Sequence, residues 1–300
     1  MELIGKTKID FIGKRHIAFI ISGIIATIGI IGIIQIGRGA ANMGIDFSGG
    51  TAVQLKFSQP VTIEYARNAL AKHNLKEASL QDIKEGNKLL IKVGNANVGK
   101  VADMIEDVFH KELPGNSFVV ESSTEIGPSI GDKLRKDTLV AIVISMLGII
   151  IYIAWRFDFK FGIGAAVATL HDVLAMFAVF FVMNKEINLL FITAVLTIAG
   201  YSLTDTVVVF DRIRENLHKD LKGALANIFN KSINEVLSRT IVTSLTAFLA
   251  ALSLFVFGGE VIHDFAFALV VGISVGTYSS VFVASPIVVI LEEKAGKNKA

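Results

Sequence analysis

Four ionisable residues of this sequence stand inside or at the edge of long apolar runs: Asp205, Asp172, His171 and Arg239. Residues 199–215 read AGYSLTDTVVVFDRIRE, with Asp205 alone among apolar side chains before the charged group Asp211, Arg212, Arg214 and Glu215. A carboxylate at the centre of a membrane helix costs about 2.5–3.5 kcal/mol on insertion scales. Such a residue faces a bundle interior or water and is a candidate for function. The chemistry open to it is proton carriage. Desolvation favours the neutral carboxyl and a neighbouring guanidinium favours the ionised one. A group balanced between them exchanges a proton with water from either side. Tyr201 lies one turn before Asp205, and Thr204 and Thr206 flank it, which reads as one polar strip on an apolar helix.

Each candidate also has a plainer explanation. Arg239 can snorkel to headgroups, His171 can be a neutral core residue, and Asp172 can be a structural hydrogen-bond acceptor. One His and two Asp on separate runs have no recognisable metal spacing, so no metal and no cofactor is expected. The chain has no cysteine, no G-x-S-x-G, no H-E-x-x-H and no P-loop, so it is not read as an enzyme. Without a nucleotide motif, the available energy source is an ion gradient, worth about 2.3 kcal/mol per charge at 100 mV.

The elements that position these residues are membrane helices. The chain has 300 residues, 52% hydrophobic and 19% charged, with a net charge of +2, too small to suggest nucleic acid. Its mean hydropathy is +0.61. Six apolar segments are long enough to span a bilayer: 17–36, 137–155, 161–183, 188–210, 240–257 and 263–291. The first exceeds a signal-peptide core and reads as an uncleaved anchor. The sixth is longer than a span needs, and either tilts or includes an interfacial turn. Basic residues cluster before the first span, in 156–160, in 211–239 and in the C-terminal tail, whereas the short loops on the other side hold only Lys185. The positive-inside rule places both termini in the cytoplasm.

The polar stretch 37–136 reads as a folded extracytoplasmic domain. Its pattern is strand 51–57, helix 62–73, strands 78–83 and 88–93, helix 97–112 and strand 117–122, a ferredoxin-like βαββαβ order. Thr62 is placed to cap the first helix, and Gly86-Asn87 to turn a hairpin. The five remaining spans occupy 137–300. Within them, 211–239 reads as a cytoplasmic connector whose Leu221, Leu225, Ile228, Phe229, Val236 and Leu237 give an amphipathic helix lying on the membrane surface. In the sixth span Ala268, Gly272, Gly276, Ser280 and Ala284 recur every four residues, a small-residue ridge for close packing inside the bundle or against another subunit. As physics, Asp46-Phe47-Ser48-Gly49-Gly50 is a flexible turn entering the first strand.

Three stretches together carry a family resemblance. Gly44-Ile45-Asp46-Phe47-Ser48-Gly49-Gly50 matches the pattern G-[IL]-D-F-x-G-G. The fourth span holds Tyr201-Ser202-Leu203-Thr204-Asp205-Thr206 and continues to Glu215, and the fifth begins Ser238-Arg239-Thr240-Ile241-Val242-Thr243-Ser244. With the order of one span, an outer domain and five spans, the chain resembles the SecF family of the SecDF protein-export complex, within the RND superfamily. The resemblance implies a half-transporter fold, a separate SecD chain as partner, association with the SecYEG channel, and a translocating preprotein as cargo in the lipid bilayer. It further implies use of the proton motive force, with Asp205 and Arg239 at the proton-path positions. The family usually has Ile-Asn before the aspartate; here Leu203-Thr204 stands there, so the amide is missing. A proton-coupled exporter of a small molecule or lipid is the alternative, although an outer domain of this size is small for a porter. A non-transporting scaffold would leave Asp205 without a reason.

Overall fold

The computed structural model describes residues 7–39, 41–83, 86–94, 100–220 and 223–297. In chain order the elements are α1 (Arg15–Gly37), α2 (Ile45–Ser48), β1 (Gly50–Phe57), α3 (Ile63–Lys72), β2 (Ser79–Ile83), β3 (Lys88–Gly94), α4 (Val101–Glu112) and β4 (Phe118–Ile126). They continue with α5 (Pro128–Arg156), α6 (Phe159–Val182), α7 (Leu189–Lys219), α8 (Leu225–Phe257), α9 (Glu260–Ser279), a π-helical turn (Ser280–Ala284) and α10 (Ser285–Lys297). The chain divides into two compact units, one Met43–Val140, the other the chain up to Asn42 and from Ala141 onward.

The smaller unit is an antiparallel sheet in the order β2-β3-β1-β4 with α3 and α4 on one face. That is the ferredoxin-like topology expected from the element order. Val53, Leu55 and Phe57 alternate along β1 into the core, as do Leu89, Ile91 and Val93 along β3. The helices answer with Ala66, Ala69 and Leu70, and with Ile105, Val108 and Phe109, at helical spacing. Phe57 meets Phe109 edge to face at 5.4 Å. Gly86 and Asn87 both take positive φ between β2 and β3, the conformation a tight hairpin requires. Thr62 caps α3, its Oγ1 accepting from Tyr65 N at 3.3 Å. Thr62→Ala should therefore cost about 1 kcal/mol and appear as faster amide exchange across Ile63–Lys72 in the intact chain. Lys72 donates to Glu112 at 2.8 Å, and this hydrogen bond holds the Glu112 carboxyl below its ordinary range.

The Gly-rich motif is not the loose turn expected of it. Residues 45–48 form one helical turn, Phe47 is buried, and the chain then reverses through Gly49 at φ +70° and Gly50 at φ +136°. A Cβ on Gly49 would meet Pro128 Cα at 3.1 Å, and one on Gly131 would meet Gly49 N at 3.0 Å. The motif thus lies against the first turns of α5, a contact only glycine permits. Strand β1 begins at Gly50, one residue earlier than the pattern suggested, and β4 runs on to Ile126.

Among the described residues six helices are long and apolar enough to cross a membrane, and all but the first part of α5 belong to the larger unit. α6 is the most enclosed and α5 the least, with Leu147, Ile151 and Trp155 (85% exposed) facing outward. α1 lies on α6 at Gly29 and Gly32, where a Cβ would strike the Leu174 backbone and Phe181. The sixth span is broken by the π turn. Pro286 has no N–H for the carbonyl four residues back, so an α-helix cannot run through unchanged, and within the turn Ser285 Oγ donates to Ser280 O, five residues back, at 3.0 Å.

The connector 211–239 requires correction. α7 runs to Lys219 and α8 starts at Leu225, so the fourth and fifth spans are two long helices with five residues between them, and among the described residues no separate helix lies between them. The expected amphipathic face is real but packs inward: Phe229 and Ile233 are buried with Phe210 and Ile213, Val236 and Leu237 pack against that cluster, and Ile228 is buried too. Leu221 lies outside the described residues. Charges that read as loop are paired between the helices, Arg212 with Glu235 at 2.7 Å and Asn216 with Glu235 at 2.8 Å. α8 also fastens the chain before α1: Asn230 Oδ1 accepts from Phe11 N and Ile12 N at 2.9 and 3.0 Å, and Asn234 Nδ2 donates to Ile9 O at 2.9 Å.

Candidate functional site

The polar residues of α7 form two stripes, not one. Tyr201 and Asp205, four residues apart, turn toward α8; Ser202 and Thr206 turn toward α6 and α9. Asp205 is 7% exposed and its Oδ2 accepts from Ser244 Oγ at 2.8 Å. Tyr201 OH donates to Thr243 O at 3.3 Å. Thr204 belongs to neither stripe. It is exposed and donates back to Gly200 O at 3.3 Å, so the residue that departs from the family pattern does not touch the carboxylate beside it.

The second stripe meets Asp172. This carboxylate is 0% exposed and held from three sides: Ser202 Oγ at 2.5 Å and Ser279 Oγ at 2.8 Å on Oδ2, and His171 Nδ1 at 3.1 Å from Oδ1. A buried carboxyl persists only with such partners. The His171 ring is buried too, and its Nε2 has no hydrogen-bond partner among the described residues. Beside it Tyr278 donates to Ala18 O on α1 at 3.1 Å.

The small-residue ridge sets the register of this cluster. A Cβ on Gly272 would meet Ile198, a Cβ on Gly276 would meet Ser202 Cβ at 2.9 Å, and Ser280 Oγ lies 3.1 Å from Thr206 Oγ1. The ridge therefore packs α9 on α7 of the same chain, one contact per turn. Gly276→Val should push these helices apart and cost about 1–3 kcal/mol, read as a lower melting temperature of the purified chain.

Arg239 stands on α8, exposed, and is in no ion pair among the described residues. It is not brought to Asp205. It lines, with Val208, Asp211, Arg212, Glu215, Glu235 and Val236, a cleft of about 470 Å³ between the ends of α7 and α8. Among the described residues no group of three or more His, Cys, Asp or Glu is gathered as for a metal. Asp205 and Asp172 face different neighbours, and no hydrogen bond joins them. Ser244, Ser202 and Ser279 escaped sequence reasoning because a serine in a membrane helix ordinarily bonds its own backbone. The adjacent pair Ser279-Ser280 in an apolar run was the one available signal.

A buried carboxylate held by hydroxyls of the neighbouring helix, and a glycine-locked α/β unit in the same chain, set the frame for comparison with known proteins. Residues 106–294 match the family of protein export membrane proteins SecD/SecF, C-terminal, and residues 41–61 match the SecD/SecF GG motif. The protein translocase subunit SecF of Thermodesulfovibrio yellowstonii is 55% identical over 99% of this chain and 98% of its own. The chain belongs to the SecF family. A second SecF, from Calditerrivibrio nitroreducens, is 41% identical over 97% of each chain. The crystal structure of SecDF, a translocon-associated membrane protein from Thermus thermophilus, matches with a TM-score of 0.86 and 34% identity over 96% of this chain. A super-membrane-facing form of SecDF matches with a TM-score of 0.72. This chain spans 39% of the first SecDF chain and 40% of the second. The GG motif of the family is thus the Gly49-Gly50 reversal against α5, and the multi-pass fold of SecF holds both buried aspartates.

Proposed function

We propose that this SecF-family chain is an auxiliary subunit of the Sec export machinery that pairs with a separate SecD chain and uses the proton motive force to promote preprotein movement through SecYEG. Both termini and the α7–α8 turn face the cytoplasm, and 37–136 faces the other side. Asp205 is the proton carrier. The observation that carries this is its setting: a buried carboxylate in an apolar helix, held from α8 by the Ser244 hydroxyl at 2.8 Å with the Thr243 hydroxyl beside it, and joined to no cation among the described residues. Asp172 is fully enclosed by side chains of three helices, whereas Asp205 is held from the α8 side alone, which suits loading and release of a proton. Arg239, at the mouth of the cleft below it, supplies positive charge without locking it in an ion pair. Asp172 and His171 hold α6, α7 and α9 in register.

Inverted membrane vesicles with and without the chain test this. Removing it should lower preprotein transport in the presence of a gradient and leave it unchanged when the gradient is collapsed, and a tagged chain should co-purify with a second six-span protein. Equal transport with and without the chain under a gradient contradicts the proposal.

A further inference from the structure

The carboxylate of Asp205 needs a route to water, and α8 carries one feature that the packing of the bundle leaves unexplained. Most hydroxyls on these helices bond back to a carbonyl of their own helix: Ser232 to Ile228, Ser274 to Val270, Thr243 to Arg239. This is the ordinary way for a serine or threonine to satisfy itself in an apolar helix. Ser244 and Thr240 do otherwise. Ser244 donates across to Asp205. Thr240, one turn nearer the α8 N-terminus on the same face and 2% exposed, has its Oγ1 buried with no hydrogen-bond partner among the described residues. A buried, unpartnered hydroxyl costs about as much as a lost hydrogen bond, and in native proteins such a group commonly holds a water. Arg239 precedes Thr240 in the chain, and Val208 lies one turn from Asp205 along α7. Both line the cleft whose walls carry Asp211, Glu215 and Glu235. The order along the α7–α8 seam is therefore cleft, Thr240, Ser244, Asp205.

We propose that Thr240 and Ser244 form the inner leg of the proton path, with Thr240 holding a water between the cleft and Ser244, and Ser244 passing the proton from Asp205 toward the cleft. This rests on Asp205 being the proton carrier. The exchange balances without any other reactant. Protonated Asp205 gives its proton to Ser244 Oγ as Ser244 releases its own hydroxyl proton to the water on Thr240, and that water passes one proton to water in the cleft. Asp205 loses one proton, the cleft gains one, and serine and the bound water are unchanged. The bond between Asp205 and Ser244 survives with its direction reversed, Ser244 Oγ now donating to the carboxylate as in the structure, so release does not part α7 from α8. The ionisable groups facing this seam are Tyr201, Asp205, Asp211, Arg212 and Glu215 from α7 and Glu235 and Arg239 from α8. Of the ionisable residues of α9, which packs on both helices, Tyr278 is tied to α1, and His263 and Asp264 lie in its first turn, near Lys185. Ser244 and Thr240 are positioning residues by this account, and Asp205 remains the group that carries charge.

The test uses the full complex in inverted vesicles, where the buffer reaches the inner face. Gradient-stimulated export is followed against buffer pH for wild type, Ser244→Ala, Ser244→Thr, Thr240→Val, Thr240→Ser and Asp205→Asn, with chain level and co-purification of the partner recorded for each. The loss expected for Ser244→Ala and Thr240→Val is about tenfold, the effect of one hydrogen bond to a charged or buried polar group. Their dependence on inner pH should shift, and the hydroxyl-bearing Thr and Ser variants should recover rate and profile. Thr240→Val is nearly isosteric, so it remains informative if Ser244→Ala fails to fold. If Asp205→Asn abolishes stimulation while both hydroxyl-free variants keep the wild-type rate and pH profile, the path through Thr240 and Ser244 is wrong and the proton carrier stands. If Asp205→Asn itself leaves stimulation intact, the carrier and the path fall together.

Discussion

Asp205→Asn is expected to abolish the gradient-stimulated part of export while leaving the chain folded and assembled with its partner. The substitution is isosteric. The amide oxygen still accepts from Ser244 Oγ, now at 2.8 Å from Oδ2, so the tie between α7 and α8 is kept. What disappears is the ability to bind and release a proton. Removing an acid–base group from a transfer step typically costs 10²–10⁴-fold, so the stimulated rate should fall by at least about a hundredfold. Asp205→Glu lengthens the arm by about one methylene in a packed seam and should retain part of the function. This pair of variants separates titration from packing, because a purely structural Asp205 would tolerate Asn better than Glu.

Asp172→Ala is expected to damage stability rather than coupling directly. Three donors converge on this carboxylate, and its removal leaves the Ser202 hydroxyl and His171 Nδ1 without their acceptor in a dry interior. Ser279 loses least, since its hydroxyl already lies 3.2 Å from Gly276 O. With each of the two unsatisfied buried groups costing about 1–3 kcal/mol, the total is about 2–6 kcal/mol. For a chain of this size that lowers the melting temperature by roughly 5–20 °C. Asp172→Asn, which keeps one acceptor oxygen, should lose less than half as much. Thermal unfolding of the purified chain in detergent measures both. A melting temperature unchanged by Asp172→Ala would show that the three hydrogen bonds do not hold α6, α7 and α9.

The contrast between the two aspartates marks where sequence reasoning stopped. Both were visible as carboxylates in apolar runs, and composition alone made them exceptional. Their environments were not visible, because Ser244 is 39 residues from Asp205 and Ser279 is 107 from Asp172. The threonines flanking Asp205 looked like its partners because they are its neighbours in sequence, yet helix geometry sends side chains at i±1 to other faces. The spans themselves were legible, since a bilayer demands long apolar stretches. The α/β order was legible from strand alternation and from Gly86-Asn87. The ends of α7 and α8 were not, because Arg212, Glu215 and Glu235 look like loop residues until their pairing is seen. Gly29 and Gly32 of α1 gain a reason only from the approach of α6, which sequence spacing does not reveal.

Difference infrared spectroscopy of the membrane-embedded chain, comparing the wild type with Asp205→Asn as the buffer is acidified, tests the central claim most directly. A protonated-carboxyl band should grow on acidification in the wild type and be missing from the variant, with its frequency shifted in Ser244→Ala as the hydrogen bond is lost. Identical acid-induced spectra from wild type and Asp205→Asn would contradict it, because Asp205 would then not be a group that takes up a proton.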